Sequence, residues 1–267
     1  MKHDNANEVQ FYQLVDTQKE YFVTEAYKSM RTNIMFTLAN KENRTMVFTS
    51  SVPGEGKSSV CSNFALILSQ TGAKVVIIDA DMRKPTVHKI MNSYNKQGLS
   101  NVLGEFQSLA QSINKTDYPN LFYISAGTVP PNPTELLNSP KMEKVLEELQ
   151  QQFDYILIDS PPINLVTDAL VLARYAAGIV FVVRQDYSDH DEIEKALQSI
   201  EFIEANLLGM VLFDAKMHGH YDSKYKYSKY KYGKYGKYGK YAKYSTYYGA
   251  TEVSSEGKEE SVVNIKG

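Results

Sequence analysis

The sequence predicts an α/β fold over residues 1–220: an open, mostly parallel sheet with helices on both faces, followed by a disordered tail over 221–267. Three observations predict it. Short, nearly continuous apolar runs alternate with helix-like patterns. A Gly-rich turn joins the first of these runs to an apolar helix. Tyrosine is unevenly divided: of 20 Tyr, nine lie in 1–220 and eleven in 221–248.

The strand-like runs are Thr45–Thr49, Lys74–Asp79, Asn120–Ser125, Asp154–Asp159, Gly178–Val183 and Leu207–Phe213. They are apolar at successive positions rather than alternating, the pattern of strands covered on both faces in a parallel sheet. Helical patterns at Ser58–Thr71, Ser139–Gln152, Asp168–Ala177 and Glu192–Ala205 supply the crossovers such a sheet requires. Ligands then belong at the C-terminal ends of the strands. Ahead of the first strand, residues of about 22–40 form a further helix. Ala26, Tyr27, Met30, Ile34 and Leu38 are expected on one face of it. Glu25, Lys28 and Arg31 share a second stripe, by spacing alone a solvated charged face.

Composition narrows the class. The chain has 267 residues, 29 basic and 31 acidic, and a single cysteine, Cys61, which excludes a disulfide scaffold and fits a reducing compartment. No uncharged apolar stretch is long enough for a membrane-spanning helix, and the polar, acidic N-terminus does not read as a signal peptide. The net charge of −2 divides into −7 for 1–220, +7 for 221–248 and −2 for 249–267. In the basic segment Tyr232, Tyr235, Tyr238, Tyr241 and Tyr244 recur every third residue with Lys between them. It has too little aliphatic side chain for a core. Composition leaves four uses open: stacking on nucleic acid, contact with an anionic membrane, tyrosine phosphorylation, or solubility alone.

The strongest motif is Ser50–Ser59, SSVPGEGKSS, between a strand and a helix. It matches a phosphate-binding loop except that Ser51 stands at the first glycine position. Gly54 and Gly56 let backbone N–H groups approach phosphate oxygens, and the helix start adds partial positive charge. Ser51, Pro53, Gly54, Glu55, Gly56, Lys57, Ser58 and Ser59 are therefore the candidate nucleotide contacts, with Lys57 on the phosphates. Asp79, Asp81 and Asp159 end two further strands, in VVIIDAD and ILIDSPP. Ser58, Asp79 and Asp159 are candidate Mg²⁺ ligands, because this ion takes few carboxylates alongside phosphate oxygens and water. Lys57, Asp79 and Asp81 are the candidate catalytic residues, with either aspartate able to accept a hydroxyl proton. The competing reading of each aspartate is a helix cap.

SSVPGEGKSS, VVIIDADMRKP and ILIDSPP together resemble the bacterial tyrosine kinases (BY-kinases). More narrowly, they resemble the soluble cytoplasmic kinases of Gram-positive capsule and exopolysaccharide loci. Gly127–Ser139, EAYKSMRTNI and the Tyr-rich C-terminus extend the resemblance over residues 20–215 and the tail. It implies a P-loop NTPase-like kinase that uses ATP and Mg²⁺ and regulates polysaccharide synthesis and export. It implies trans-autophosphorylation at Tyr225, Tyr227, Tyr230, Tyr232, Tyr235, Tyr238, Tyr241, Tyr244, Tyr247 and Tyr248. It further implies a ring assembled through Glu25, Lys28 and Arg31, a membrane chain-length regulator as activator, and a cognate tyrosine phosphatase. That activator would hold the kinase at the inner face of the plasma membrane, and no nucleic-acid partner is expected. Three residues depart from the pattern: Lys28 where Arg is expected, Ser51, and Phe213 where relatives carry Asn. The competing family, the partition and cell-division ATPases, shares the fold but carries an extra Lys where Val52 stands; its basic tail would bind nucleic acid or membrane.

Overall fold

The computed structural model describes residues 13–215. The expectations for the tail, its ten candidate tyrosines included, lie outside the described residues.

All six expected strands form: β1 (Thr45–Ser50), β2 (Val75–Asp79), β4 (Leu121–Ile124), β5 (Tyr155–Asp159), β6 (Gly178–Arg184) and β7 (Leu207–Phe213). A two-residue strand, β3 (Asn114–Lys115), was not legible in the sequence and pairs antiparallel with β4. The sheet order is β3-β4-β2-β5-β1-β6-β7, and every other pairing is parallel.

The continuous apolar runs have the expected cause. In β1, Met46 and Phe48 pack into one core while Val47 packs into the other, and Ile77 and Ile78 divide in the same way in β2. One face is covered by α1 (Tyr21–Leu38) and α2 (Lys57–Ser69), and every residue of α2 is buried. Following in the chain are α3 (Val87–Ile90), α4 (Leu99–Leu103), α5 (Leu109–Ser112), α6 (Pro133–Leu137), α7 (Pro140–Gln150), α8 (Asp168–Ala173) and α9 (His190–Phe202). Of these, α4 to α9 build the core on the opposite face. The four shortest segments, α3 to α6, escape a periodicity reading because four or five residues are little more than one helical turn.

Helix α1 forms with the expected apolar face inward at Tyr27, Met30, Ile34 and Leu38, and the expectation fails only at Ala26 and Arg31. Thr24, Tyr27, Ile34 and Leu38 are buried and Ala26 is exposed. Arg31 falls on the α2-facing side, and its guanidinium reaches the Ile67 carbonyl at 3.5 Å. Glu25 and Lys28 do share an accessible stripe and pair at 2.8 Å. The correction follows from helix geometry: 24, 27, 31, 34 and 38 track a single face, and position 26 lies about 100° from 27. Among the described residues no helix is long and apolar enough to cross a membrane.

Candidate active site

The loop between β1 and α2 turns through two left-handed glycines, Gly54 (φ +88°) and Gly56 (φ +85°). Each is also crowded. A Cβ on Gly54 would stand 2.8 Å from the Tyr187 hydroxyl, and one on Gly56 would run into the Phe213 ring. Both therefore need glycine for conformation and for space.

The Glu55 side chain shapes this loop from within. It is wholly buried and accepts hydrogen bonds from Ser51 Oγ at 2.7 Å, Val52 N at 2.8 Å and the Ser188 hydroxyl. Ser51 at the missing-glycine position thus has its own use: its hydroxyl fastens the loop to Glu55. With both side chains committed, Ser51 and Glu55 reach a phosphate only through their backbone. The sequence reading missed the other members of this scaffold. Tyr187 donates to the Pro53 carbonyl at 2.9 Å, and Arg184 donates to the Gly54 carbonyl at 3.2 Å. Arg184 also pairs with Asp214 at 3.1 Å. These residues lie on or just beyond the neighbouring strands, and no local motif marks them.

Lys57 and the three aspartates converge. Lys57 Nζ lies 3.0 Å from Asp81 Oδ2, 3.6 Å from Asp159 Oδ1 and 3.3 Å from Ser58 Oγ. Burial alone would lower the Lys57 pKa, but the charges of Asp159 and Asp81 more than offset it and leave it above the ordinary lysine value. Asp79 and Asp159 are wholly buried and stand opposite each other in the β2–β5 register. Burial and the Asp159 charge push Asp79 up to about 8. Burial likewise raises Asp159, while Lys57 and the Ser58 hydroxyl pull it back.

The aspartates are not equivalent. Asp79 Oδ2 accepts from the Thr86 and Val87 N–H groups, at 2.9 and 3.0 Å, so it also caps the start of α3. Asp81 holds Lys57 through one oxygen and the Lys84 N–H through the other, at 2.9 Å. Neither oxygen of Asp159 accepts a hydrogen bond of good geometry, although both are buried. The nearest positive charge is the Lys57 ammonium at 3.6 Å, and buried oxygens so placed next to the Ser58 hydroxyl fit a Mg²⁺ ion. Among the described residues no group of three His, Cys, Asp or Glu is placed to hold a metal unaided. The fit is therefore to an ion that shares its shell with phosphate and water.

Residues 43–209 match the family model described as an AAA domain. The tyrosine-protein kinase YwqD of Bacillus subtilis (strain 168) is 35% identical over 211 residues, 79% of this chain and 88% of its own. The chain belongs to the bacterial tyrosine kinases of Gram-positive capsule loci. CpsD of Streptococcus agalactiae, also named a tyrosine-protein kinase, is 38% identical over 70% of this chain and 82% of its own length. The crystal structure of the chimerical protein CapA2B2 superposes with a TM-score of 0.70 at 34% identity, covering 75% of this chain and 91% of that one. The BY-kinase resemblance read from the three motifs is thereby established, and the kinase is a P-loop protein-tyrosine kinase by family. The partition-ATPase alternative shares only the fold.

Proposed function

We propose that this kinase transfers the γ-phosphoryl group of ATP to tyrosines of its C-terminal cluster, on a neighbouring copy, and so regulates capsular or exopolysaccharide synthesis and export. The observation that carries the reading is the meeting of Lys57, Ser58, Asp81 and Asp159 at the mouth of the phosphate loop. In this reading the Gly54–Ser59 backbone and Lys57 hold the phosphates. Ser58, Asp79 and Asp159 hold Mg²⁺, which would neutralise charge developing on the phosphate oxygens. Asp81, buried beside Lys57 with one oxygen on the ammonium and the other on the Lys84 N–H, orients the incoming tyrosine hydroxyl and accepts its proton as the new O–P bond forms and the bond from the γ-phosphorus to ADP breaks. Asp79 is the less suited base because it is wholly buried and one oxygen caps α3. Catalysis then rests on positioning and charge stabilisation.

Within the same proposal, Glu25, Lys28 and Arg31 contribute to a ring-like homo-oligomer. A membrane chain-length regulator activates the kinase at the inner face of the plasma membrane, and a tyrosine phosphatase reverses the modification. The pairing of Lys28 with Glu25 supports a role for the accessible stripe, whereas Arg31 acts first on the packing of α1 against α2.

The test is incubation of the full chain with ATP and Mg²⁺, with and without the cytoplasmic segment of the activator, followed by mass spectrometry. Phosphotyrosine within 221–248 that disappears in Lys57→Met is the expected result. Steady ATP hydrolysis with an unmodified cluster would refute the proposal.

A further inference from the structure

The net charge of −7 over residues 1–220 is concentrated in one place. Between residues 186 and 204 seven acidic side chains stand against a single lysine, Lys195, so this stretch alone carries −6. It consists of helix α9 and the residues at its two ends.

Helix α9 sorts its side chains by face. Ala196 and Ile200 are buried and seat the helix on the core. Asp191, Glu194 and Glu201, at i, i+3 and i+10, share the exposed face. Among the described residues no lysine or arginine pairs with Glu194 or Glu201; Glu194 accepts only from the Gln198 amide, at 3.3 Å.

The first turn of this helix is fastened to the site. The Ser188 hydroxyl donates to Glu55 inside the phosphate loop. Asn164 follows the strand that ends in Asp159. Its amide donates to the Glu192 carbonyl at 2.8 Å and to the Glu192 carboxylate at 2.7 Å, and its backbone N–H reaches the Ser51 carbonyl at 3.3 Å. The acidic face therefore begins beside the phosphate loop.

The same sequence contains a segment of complementary charge. Residues 221–248 hold eight lysines and one acid, and from Lys231 to Lys243 a lysine recurs every third residue, each followed by a tyrosine. The 13 residues of α9 make it about 20 Å long. About six residues of an extended chain cover that length, which is two Lys-Tyr repeats. Because the repeat is uniform, one register offers its lysines as well as the next.

We propose that the exposed acidic face of α9 is the docking surface for the lysine-spaced tyrosine segment, residues 221–248, of a second copy. The lysines then guide the acceptor to the site as well as keeping it in solution. The inference rests on the kinase reading above and states how its acceptor is recruited. Exposed charges of opposite sign act chiefly on encounter and orientation, and salt weakens them. Each phosphate added to the segment brings about −1.5 to −2, so a modified stretch leaves the acidic face and an unmodified one replaces it.

The experiment uses the full chain with a peptide of residues 221–248 as acceptor in trans. Asp191→Asn, Glu194→Gln and Glu201→Gln combined are expected to raise the acceptor KM about five- to tenfold, the effect of three exposed ion pairs. Affinity for a fluorescent ADP analogue should not change. Glu143→Gln, Glu147→Gln and Glu148→Gln combined remove the same charge from exposed positions of α7 and should leave the acceptor KM where it was. A peptide with glutamine for every lysine should lose affinity for the wild-type chain and bind the α9 variant no worse than it binds wild type. An unchanged KM in the α9 variant, or an equal rise in the α7 variant, would overturn the proposal. Fluorescence anisotropy of the labelled peptide separates this test from the kinase reading. Salt-sensitive binding that the α9 variant loses supports the docking surface even where the peptide stays unmodified, an outcome that refutes only the proposed function. Equal binding by wild type and the α9 variant refutes the docking surface whatever the activity.

Discussion

Asp79 and Asp159 face each other across neighbouring parallel strands, both without solvent exposure, beneath a single ammonium group from Lys57. Two buried carboxylates so close cannot both ionise at low cost, so the pair holds a proton to a higher pH than exposed aspartates would.

That proton has a consequence for stability. Asp79 is raised from 3.8 to about 8, so the unfolded chain releases its proton first as pH rises. The stability this contributes is complete below the ordinary carboxylate range and is lost as pH climbs towards the folded value. With nucleotide and metal removed, Asp79→Asn should melt above wild type at pH 8, with the gap shrinking steadily as the pH falls towards 4. A gap of at least ~1 kcal/mol corresponds to about 2–4 °C at this size. A gap that narrows with rising pH would contradict the assignment.

Gly56 answers to two constraints that a mutant cycle can divide. Gly56→Ala meets both the left-handed backbone and the Phe213 ring. Adding Phe213→Ala should relieve the steric part and leave the conformational part, about 1–2 kcal/mol. Chemical denaturation of the two single variants and the double variant reads this directly, and strict additivity would show that the ring contact contributes nothing.

Glu55 is expected to matter without touching the nucleotide through its side chain. Glu55→Ala strands the donors of Ser51, Val52 and Ser188. An unsatisfied buried donor costs about 1–3 kcal/mol, so a fall of several degrees in melting temperature and about tenfold weaker ADP binding are expected. Ser188→Ala, which removes only one donor, should show a fraction of both effects in the same calorimetric measurements.

Phosphorylation should reverse the sign of the cluster. Each phosphate adds about −1.5 to −2, so eleven would add roughly −16 to −22. The segment starts at +7 and the remainder of the chain through residue 220 is −7. The attraction between them becomes repulsion, and the proposed ring should come apart. Light scattering before and after complete phosphorylation measures this, and an unchanged mass would count against it.

The strands were legible because each is a buried run whose length and β-branched composition are written locally. The phosphate loop was legible for the same reason: its residues are consecutive. The scaffold around it was not. Glu55 reads as one more loop residue, and only the fold brings Ser188 to it; Arg83 reads as a spare cation until Asp168, 85 positions later, neutralises it. Helix α1 shows a subtler failure. Its apolar stripe turned inward as read except at Ala26, but the charged stripe split, with Glu25 and Lys28 accessible and Arg31 on the face towards α2. Packing against α2 decided it, and drew Arg31 inward with Tyr27.

The Arg184 bridge also bears on which copy is modified. Asp214 directly follows β7 and lies one guanidinium away from the Gly54 carbonyl of the phosphate loop. The first cluster tyrosine after this root, Tyr221, is followed by ten more. At about 3.3–3.6 Å per residue, the leash from Asp214 to Tyr225 can already span more than 30 Å. Covalent reach alone therefore does not distinguish a chain's own tyrosine from a neighbour's as the acceptor.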